Sequence, residues 1–529
     1  MPNGCLLLVL HAHLPYVRHP EHERFLEERW FFEAVTETYI PLIKFFDRLK
    51  AENVPFQLTL SVSPTLANMM EDALLRQRCL RHLDLSLQLA ENECERTKDW
   101  PDVHALAQMY RRLFEEARSI FVDRCGTRLV SALQQYAESG NLELITCAGT
   151  HGYLPLLNAE PAAVKAQIFT AVDEHARIFG LKPKGMWIPE CAYYPGLDEV
   201  LAQAGIRYFL VDGHGIEHAE PAPQFGVHAP VYCPSGVAAF GRHAMTSKLV
   251  WSTSVGYPAD PNYREYYRDI GFDLDPAYLA PYQYAPGIRQ NTGIKYHRIT
   301  GKTDHKALYN PDWSAETARR HARDFAQRCR EQARRAGGGM PFPAVIVSPY
   351  DAELFGHWWF EGPQWIYHVL RELASGGDLE MSTPAAYLNA YPVQQKSVPS
   401  ASSWGRNGYS EHWVNPKTEW MWRPLHEAAA RMRQTVRERT FVSLGSVEDR
   451  ALRQAGRELM LAQASDWPFI ITNGTTEQYA KRRFHEHLHR FHDLLTRLDR
   501  REIDAASLQA LESMDAIFPK LDYQLFASE

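Results

Sequence analysis

Residues 344–353 read AVIVSPYDAE, an apolar run closed by a carboxylate. A run that short and that uniformly apolar predicts a strand buried on both faces, as in a parallel sheet. Its carboxyl end would carry Asp351. The same grammar recurs along the chain in LLLVLHAHLP (6–15), QLTLSVSPT (57–65), LELITCAGTH (142–151), GMWIPE (185–190), YFLVDGH (208–214) and KLVWSTS (248–254). Helix-like segments at 160–178 and 315–335 lie between such runs. The alternation predicts a (β/α) barrel, whose chemistry collects at the carboxyl ends of its strands.

Residues 66–138 are too long for a simple crossover and read as helical throughout, so they are expected to be a helical insertion after the second strand. QQKSVPSASS (394–403) is polar and rich in Pro and Ser, which marks a boundary near 395/396. Beyond it, residues 424–440, 448–464 and 479–498 repeat apolar positions at helical spacing with almost no strand signal. The expected organisation is a catalytic unit at 1–395 and a helical domain at 396–529. AGGGM (336–340) reads as a loop. A chain of 529 residues has room for this.

With 45% hydrophobic and 23% charged residues, the composition is that of a globular protein, not a disordered or fibrous one. A net charge of -7 disfavours nucleic acid as a partner and suits a neutral substrate. The run from Cys5 to Leu10 has no basic residue before it and is too short for a signal peptide, and no stretch approaches a membrane span. Eight scattered cysteines without a CxxC pair read as reduced thiols. A cytoplasmic protein with no membrane partner is the expectation.

Two strand-end acids stand out, Glu190 closing GMWIPE and Asp351 closing VIVSPYD. Retaining glycosidic cleavage needs such a pair, one carboxylate to attack the anomeric carbon and one carboxylic acid to protonate the leaving oxygen. An isolated strand-end acid more often caps a helix. Here Trp187 precedes Glu190, and ELFGHWWFEGP places Glu353, His357, Trp358 and Trp359 after Asp351. Aromatic walls raise a carboxyl pKa, as an acid catalyst requires. Aromatic residues reach 12% of the chain, a composition that suits sugar faces but also fills cores.

HAHLPY (11–16), AGTHGYLP (148–155), WIPECAY (187–193) and SPYDAELFGHWWFEGP (348–363) together resemble the ordered motifs of glycoside hydrolase family 57. Within that family the chain is similar to the 1,4-α-glucan branching enzymes. The likeness extends to SSWGRNGYSEHWVN (402–415) and ASDWPF (464–469). It implies a distorted (β/α)7 barrel with a helical insertion and a C-terminal all-helical domain, no metal and no organic cofactor, and an α-1,4-glucan as substrate. It places the nucleophile at Glu190 and the general acid/base at Asp351. It also implies that His11, His13 and His151 hydrogen-bond the attacked sugar, that Trp187 and His357 line the site, and that Trp30, Trp404 and Trp413 line the glucan cleft. Trp420, Trp422 and Trp467 read as core.

Cleavage by two carboxylates does not decide between water and a sugar hydroxyl as the second acceptor. Residues 229–243, APVYCPSGVAAFGRH, read as a long loop over the barrel mouth. The branching enzymes carry a shielding tyrosine in such a loop, and Tyr232 is the candidate, with Phe240 as a rival. Three other readings stand beside this one. An α-amylase or 4-α-glucanotransferase shares the motifs. A zinc deacetylase-like hydrolase could use His11 and His13, which share one strand face, although no Asp flanks them. A glucan-binding scaffold would not need both Glu190 and Asp351. His485, His489 and His492 lie at helical spacing and read as an amphipathic face, and the Gly149 and Gly152 pair lacks the Lys and Ser/Thr of a phosphate loop.

Overall fold

The computed structural model of the protein describes residues 3–252, 254–285, 287–439 and 441–527. Thr253 and Thr440, which belong to two of the runs above, lie outside it. The strands are β1 (Gly4–Ala12), β2 (Leu58–Val62), β3 (Leu142–Cys147), β4 (Gly185–Trp187), β5 (Tyr208–Val211), β6 (Val231–Tyr232), β7 (Ala238–Gly241), β8 (Ala344–Asp351) and β9 (Leu379–Met381). Their order in the sheet is β6-β7-β5-β4-β3-β2-β1-β8, with β9 also paired to β1. From β7 to β8 all neighbours are parallel. The sheet curls until its ends meet, where the His243 amide donates to the Val347 carbonyl at 2.9 Å. This is a distorted (β/α)7 barrel.

Parallel strands buried on both faces need apolar side chains on both, and the lumen is filled accordingly by Leu7, Val9, Ile145, Leu210, Phe240, Val345 and Val347, all fully buried. The helical insertion is as expected. Helices Ala73–Arg96 and Pro101–Ser119 are its two long members, the second begun by a proline at a position where no amide hydrogen bond is lost. The helices Trp422–Glu438, Val447–Ala462, Asp466–Asn473, Glu477–Arg500 and Ala505–Met514 form the C-terminal helical domain. Trp422 and Trp467 are buried in its core and Trp420 packs against it. Trp420 also stacks on His485 and His492 bonds Arg431, so these histidines serve packing. Their neighbour His487 is the one enclosed by acids, Glu458 at 2.7 Å and Asp515 at 3.9 Å. Among the described residues no helix is long and apolar enough to cross a membrane.

Two expectations about the barrel are corrected. KLVWSTS (248–254) is not a strand, because residues Ala244–Trp251 form a helix whose first turn is capped by the His243 ring. A short apolar run does not distinguish the two states. The seventh barrel strand is instead β7, AAFG, whose small residues carry little strand propensity. Residues 229–243 therefore are not a loop over the mouth. They form the β6-β7 hairpin, closed by the Cys233 amide bonding the Val237 carbonyl at 2.8 Å. Tyr232 pairs with Ala238, which pairs with Tyr208 at the amino end of β5. That is the end of the barrel away from Asp212 and Arg242. Phe240 is fully buried inside the lumen. Neither aromatic is placed to shield an intermediate at the mouth.

Candidate active site

A column of rings rises from the barrel core to the mouth. Trp187, the last residue of β4, is fully buried at the top of the lumen core. The His11 ring lies flat on it, with centroids 4.5 Å apart and planes 1° from parallel. His13, two residues up the same strand, stacks on His151 at 3.8 Å. Each of the three imidazoles is fixed by protein partners: His11 by Ser61 and His151, His13 by Ser63 and Asp466, His151 by Ser465. His11 and His151 are buried and their pKa values are pushed well down by desolvation. Burial also disfavours the charge on His13, but the Asp466 carboxylate outweighs it and raises that pKa.

Glu190 leaves β4 through a tight turn in which it adopts φ 61° and Cys191 adopts φ 50°. Left-handed backbone costs an ordinary residue about 1–2 kcal/mol. The turn is held because the Trp404 amide donates to the Glu190 carbonyl at 3.0 Å and the Cys191 amide to the Ile188 carbonyl at 2.9 Å. The carboxylate itself accepts from the Trp404 indole at 2.8 Å and from the Ser465 hydroxyl at 3.0 Å, and His151 lies 3.8 Å away. Burial pushes Glu190 up to about 7 against those two donors.

Asp351 ends β8 beside His11 of β1. Desolvation raises it well above the ordinary range, the Glu353 and Glu190 carboxylates raise it further, and only Arg242 opposes them. Among the described residues no hydrogen-bond donor meets its carboxyl group. Two carboxyls thus sit close enough to feel one another, one furnished with donors and one surrounded by like charge. Such a pair settles its proton on the second.

Several side chains here are not among the residues that the sequence motifs single out. Ser465 and Asp466 reach the barrel from the helical domain, hundreds of residues from the groups they bond; the ASDWPF motif was visible, but its partners were not. Glu353 accepts from the His13 amide at 3.1 Å and from the Tyr39 hydroxyl. Arg242 pairs with Asp212 at 2.8 Å. The acid beside the histidines is Asp466, far from them in sequence: it, His13 and His151 offer ligand atoms within 4.8 Å of one another. All of the ring nitrogens involved are already hydrogen-bonded.

Other expected contacts are placed differently. Trp187 and Trp413 are buried, the latter stacked on Tyr153 at 4.4 Å, so neither presents a face to a sugar. Trp404 is brought to the site, as a donor to Glu190. Trp30 is half-buried and meets Tyr479 edge-on at 5.6 Å. His357 lies outside the ring column, with Glu37 at 2.6 Å and the Tyr266 hydroxyl at 3.4 Å. Trp359 is buried, whereas Trp358 faces solvent and does not wall in Asp351.

The Asp466 link is testable. Asp466→Asn removes the charge that raises His13, so the His13 titration followed by NMR is expected to move to lower pH. A charge-assisted hydrogen bond contributes about 1.5–3 kcal/mol, which corresponds to a loss of kcat/KM on the order of 10- to 100-fold. An unmoved His13 titration would show that Asp466 does not control that ring.

Residues 7–399 match the family model described as glycosyl hydrolase family 57, and residues 424–526 match that of the 1,4-alpha-glucan branching enzyme C-terminal region. A 1,4-alpha-glucan branching enzyme of Thermococcus kodakarensis, TK1436, is 34% identical over 100% of this chain and 79% of its own. Among solved structures, the novel alpha-amylase AmyC of Thermotoga maritima is 42% identical with a TM-score of 0.94, covering 100% of both chains. A GH57-type branching enzyme of Pyrococcus horikoshii is 32% identical with a TM-score of 0.89, covering 100% of this chain and 97% of that one.

Proposed function

The chain belongs to glycosyl hydrolase family 57, and on that premise we infer that it is a retaining 1,4-α-glucan branching enzyme, which cuts an α-1,4 linkage and rejoins the piece through an α-1,6 bond. The observation that carries this reading is the helical domain. It matches the branching-enzyme C-terminal model at 424–526 and supplies Ser465 and Asp466 to the carboxylate and histidines of the barrel. The division near 395/396 is part of the same proposal; residues 396, 398 and 402 still bridge back to the barrel, so the helical domain proper begins beyond them.

Glu190 is proposed as the nucleophile and Asp351 as the general acid/base. In the first step Asp351 gives its proton to the glycosidic oxygen while Glu190 bonds the anomeric carbon, and the leaving chain departs. In the second the 6-hydroxyl of an acceptor glucan attacks that carbon, Asp351 takes the hydroxyl proton, and Glu190 is released with net retention. The ring column beneath holds the proposed nucleophile through Ser465, whose hydroxyl bonds both His151 and the Glu190 carboxylate.

A hydrolytic α-amylase is the second reading, and one observation favours it: the segment expected to shield the intermediate is a hairpin at the other end of the barrel. Incubation with amylose separates the two. New α-1,6 linkages in clear excess over new reducing ends are the expected result, and reducing ends without branches would establish the amylase instead.

A further inference from the structure

Seven residues beyond Asp351 the chain presents an aromatic surface that the two-step mechanism does not use. Trp358 is 51% exposed and Tyr267 is 80% exposed. Between them stands Tyr266, stacked on Trp358 with centroids 4.4 Å apart and planes 25° from parallel, and meeting Tyr267 edge-on at 5.1 Å. The buried Lys295 ammonium sits over the Tyr266 ring at 4.3 Å, a cation–π contact that fixes the ring from within. The Tyr266 hydroxyl reaches His357, and His357 is paired with Glu37.

The loop that carries Trp358 is rigid. The Gly356 amide bonds the Trp359 carbonyl at 2.7 Å, and the Trp359 amide bonds the Leu354 carbonyl at 2.9 Å. Gly356 has φ 113°, and a Cβ there would lie 1.8 Å from the Glu37 carbonyl oxygen, so the loop is pressed directly onto the neighbouring helix. The Trp358 amide returns to the Glu353 carbonyl at 3.3 Å. Carried by a hydrogen-bonded loop and stacked on Tyr266, the exposed indole is oriented in advance, which is what a binding platform needs.

We propose that Trp358, buttressed by Tyr266 and flanked by Tyr267, is a stacking platform for an α-glucan chain on the aglycone side of the cleaved bond. This rests on the glucan reading above. The ligand class follows from the surface: flat apolar faces with hydroxyl and indole donors at their edges match the alternating apolar faces and hydroxyl rims of pyranose rings. The side follows from attachment. The loop continues from Asp351 and Glu353, and the general acid is the group that must face the leaving oxygen, so the chain that departs and the acceptor that replaces it pass this wall. The platform would hold them while the other chain remains on Glu190.

The test is titration calorimetry on full-length protein carrying Glu190→Gln to block turnover, with maltotriose and maltoheptaose as ligands. Trp358→Ala is expected to weaken maltoheptaose binding about tenfold and maltotriose binding less than about twofold. Trp358→Phe keeps an aromatic face and should restore most of the difference. Because Trp358 is half in solvent, its truncation opens no core cavity. Equal maltoheptaose affinity in all three proteins would overturn the platform, and so would an equal loss for both sugars, which marks a disordered cleft. If the Glu190→Gln protein binds neither sugar, the glucan reading itself has failed.

Discussion

Glu190→Gln is expected to reduce turnover on amylose by on the order of 10⁴-fold or more, the size of loss seen when a covalent nucleophile is removed from a group that acts as a unit. The amide is isosteric, so the strained turn, the Trp404 amide bond to its carbonyl and the packing against the ring column are kept. What disappears is the negative charge that the proposed nucleophile would bring to the anomeric carbon and to the oxocarbenium-like transition state. The expected stability effect has the opposite sign. Burial raises the Glu190 pKa from an ordinary 4.5 to about 7, so the folded state holds its proton more tightly than the unfolded chain does. Ionising it therefore costs stability progressively as pH rises through that window, and the full cost is present above it. The amide has no such cost, and the melting temperature of the variant at pH 8 should equal or exceed that of the parent. Activity near that of the parent would remove Glu190 from the chemistry, and a large fall in melting temperature would mean that the loss reflects unfolding.

What the sequence made legible follows from how far each signal reaches along the chain. Short apolar runs closed by polar residues locate β1, β2, β3, β4, β5 and β8, because a fully buried strand writes its environment into consecutive residues. Strand β7 escaped, since two alanines, a phenylalanine and a glycine carry neither a long run nor much propensity. The Lys248 to Trp251 run reads as a strand because its four residues fit either period. Tyr232 reads as a mouth residue for the same reason: with β7 indistinct from loop in sequence, the hairpin turn at 233–237 reads as a lid. In the site, Glu190 and Asp351 were visible at strand ends, but their roles depend on neighbours. Ser465 and Asp466 lie 275 and 453 positions from Glu190 and His13 respectively, and no local periodicity reports contacts of that range. Burial was equally hidden: Trp187 and Trp413 look like sugar platforms in the sequence and prove to be buried supports, while the exposed Trp358 was grouped with the wall of the acid.

Asp351→Asn is expected to be nearly as damaging on amylose, by about 10²–10⁴-fold, the range over which a positioned general acid acts. Its dependence on the substrate is the informative part. The alkoxide of a glucose unit is a poor leaving group and must be protonated as the bond breaks, whereas a fluoride or nitrophenolate leaves without that help. An α-maltosyl fluoride donor should therefore recover glycosylation of Glu190 in the variant while amylose does not. Deglycosylation would still lack its base, so the covalent intermediate should accumulate, and added azide, which needs no deprotonation, should release it as the α-glycosyl azide. The pH profile provides a second check. Desolvation and the neighbouring Glu353 and Glu190 carboxylates hold the Asp351 proton well above the ordinary carboxyl range, so with Asp351 as the proposed acid, kcat/KM of the parent is expected to fall on the alkaline side as that proton is lost. With the activated donor that limb should vanish in the variant, leaving only the acidic limb set by ionisation of Glu190. Equal losses on fluoride and amylose would deny Asp351 the role of acid, and a β-configured azide product would replace double displacement with inversion.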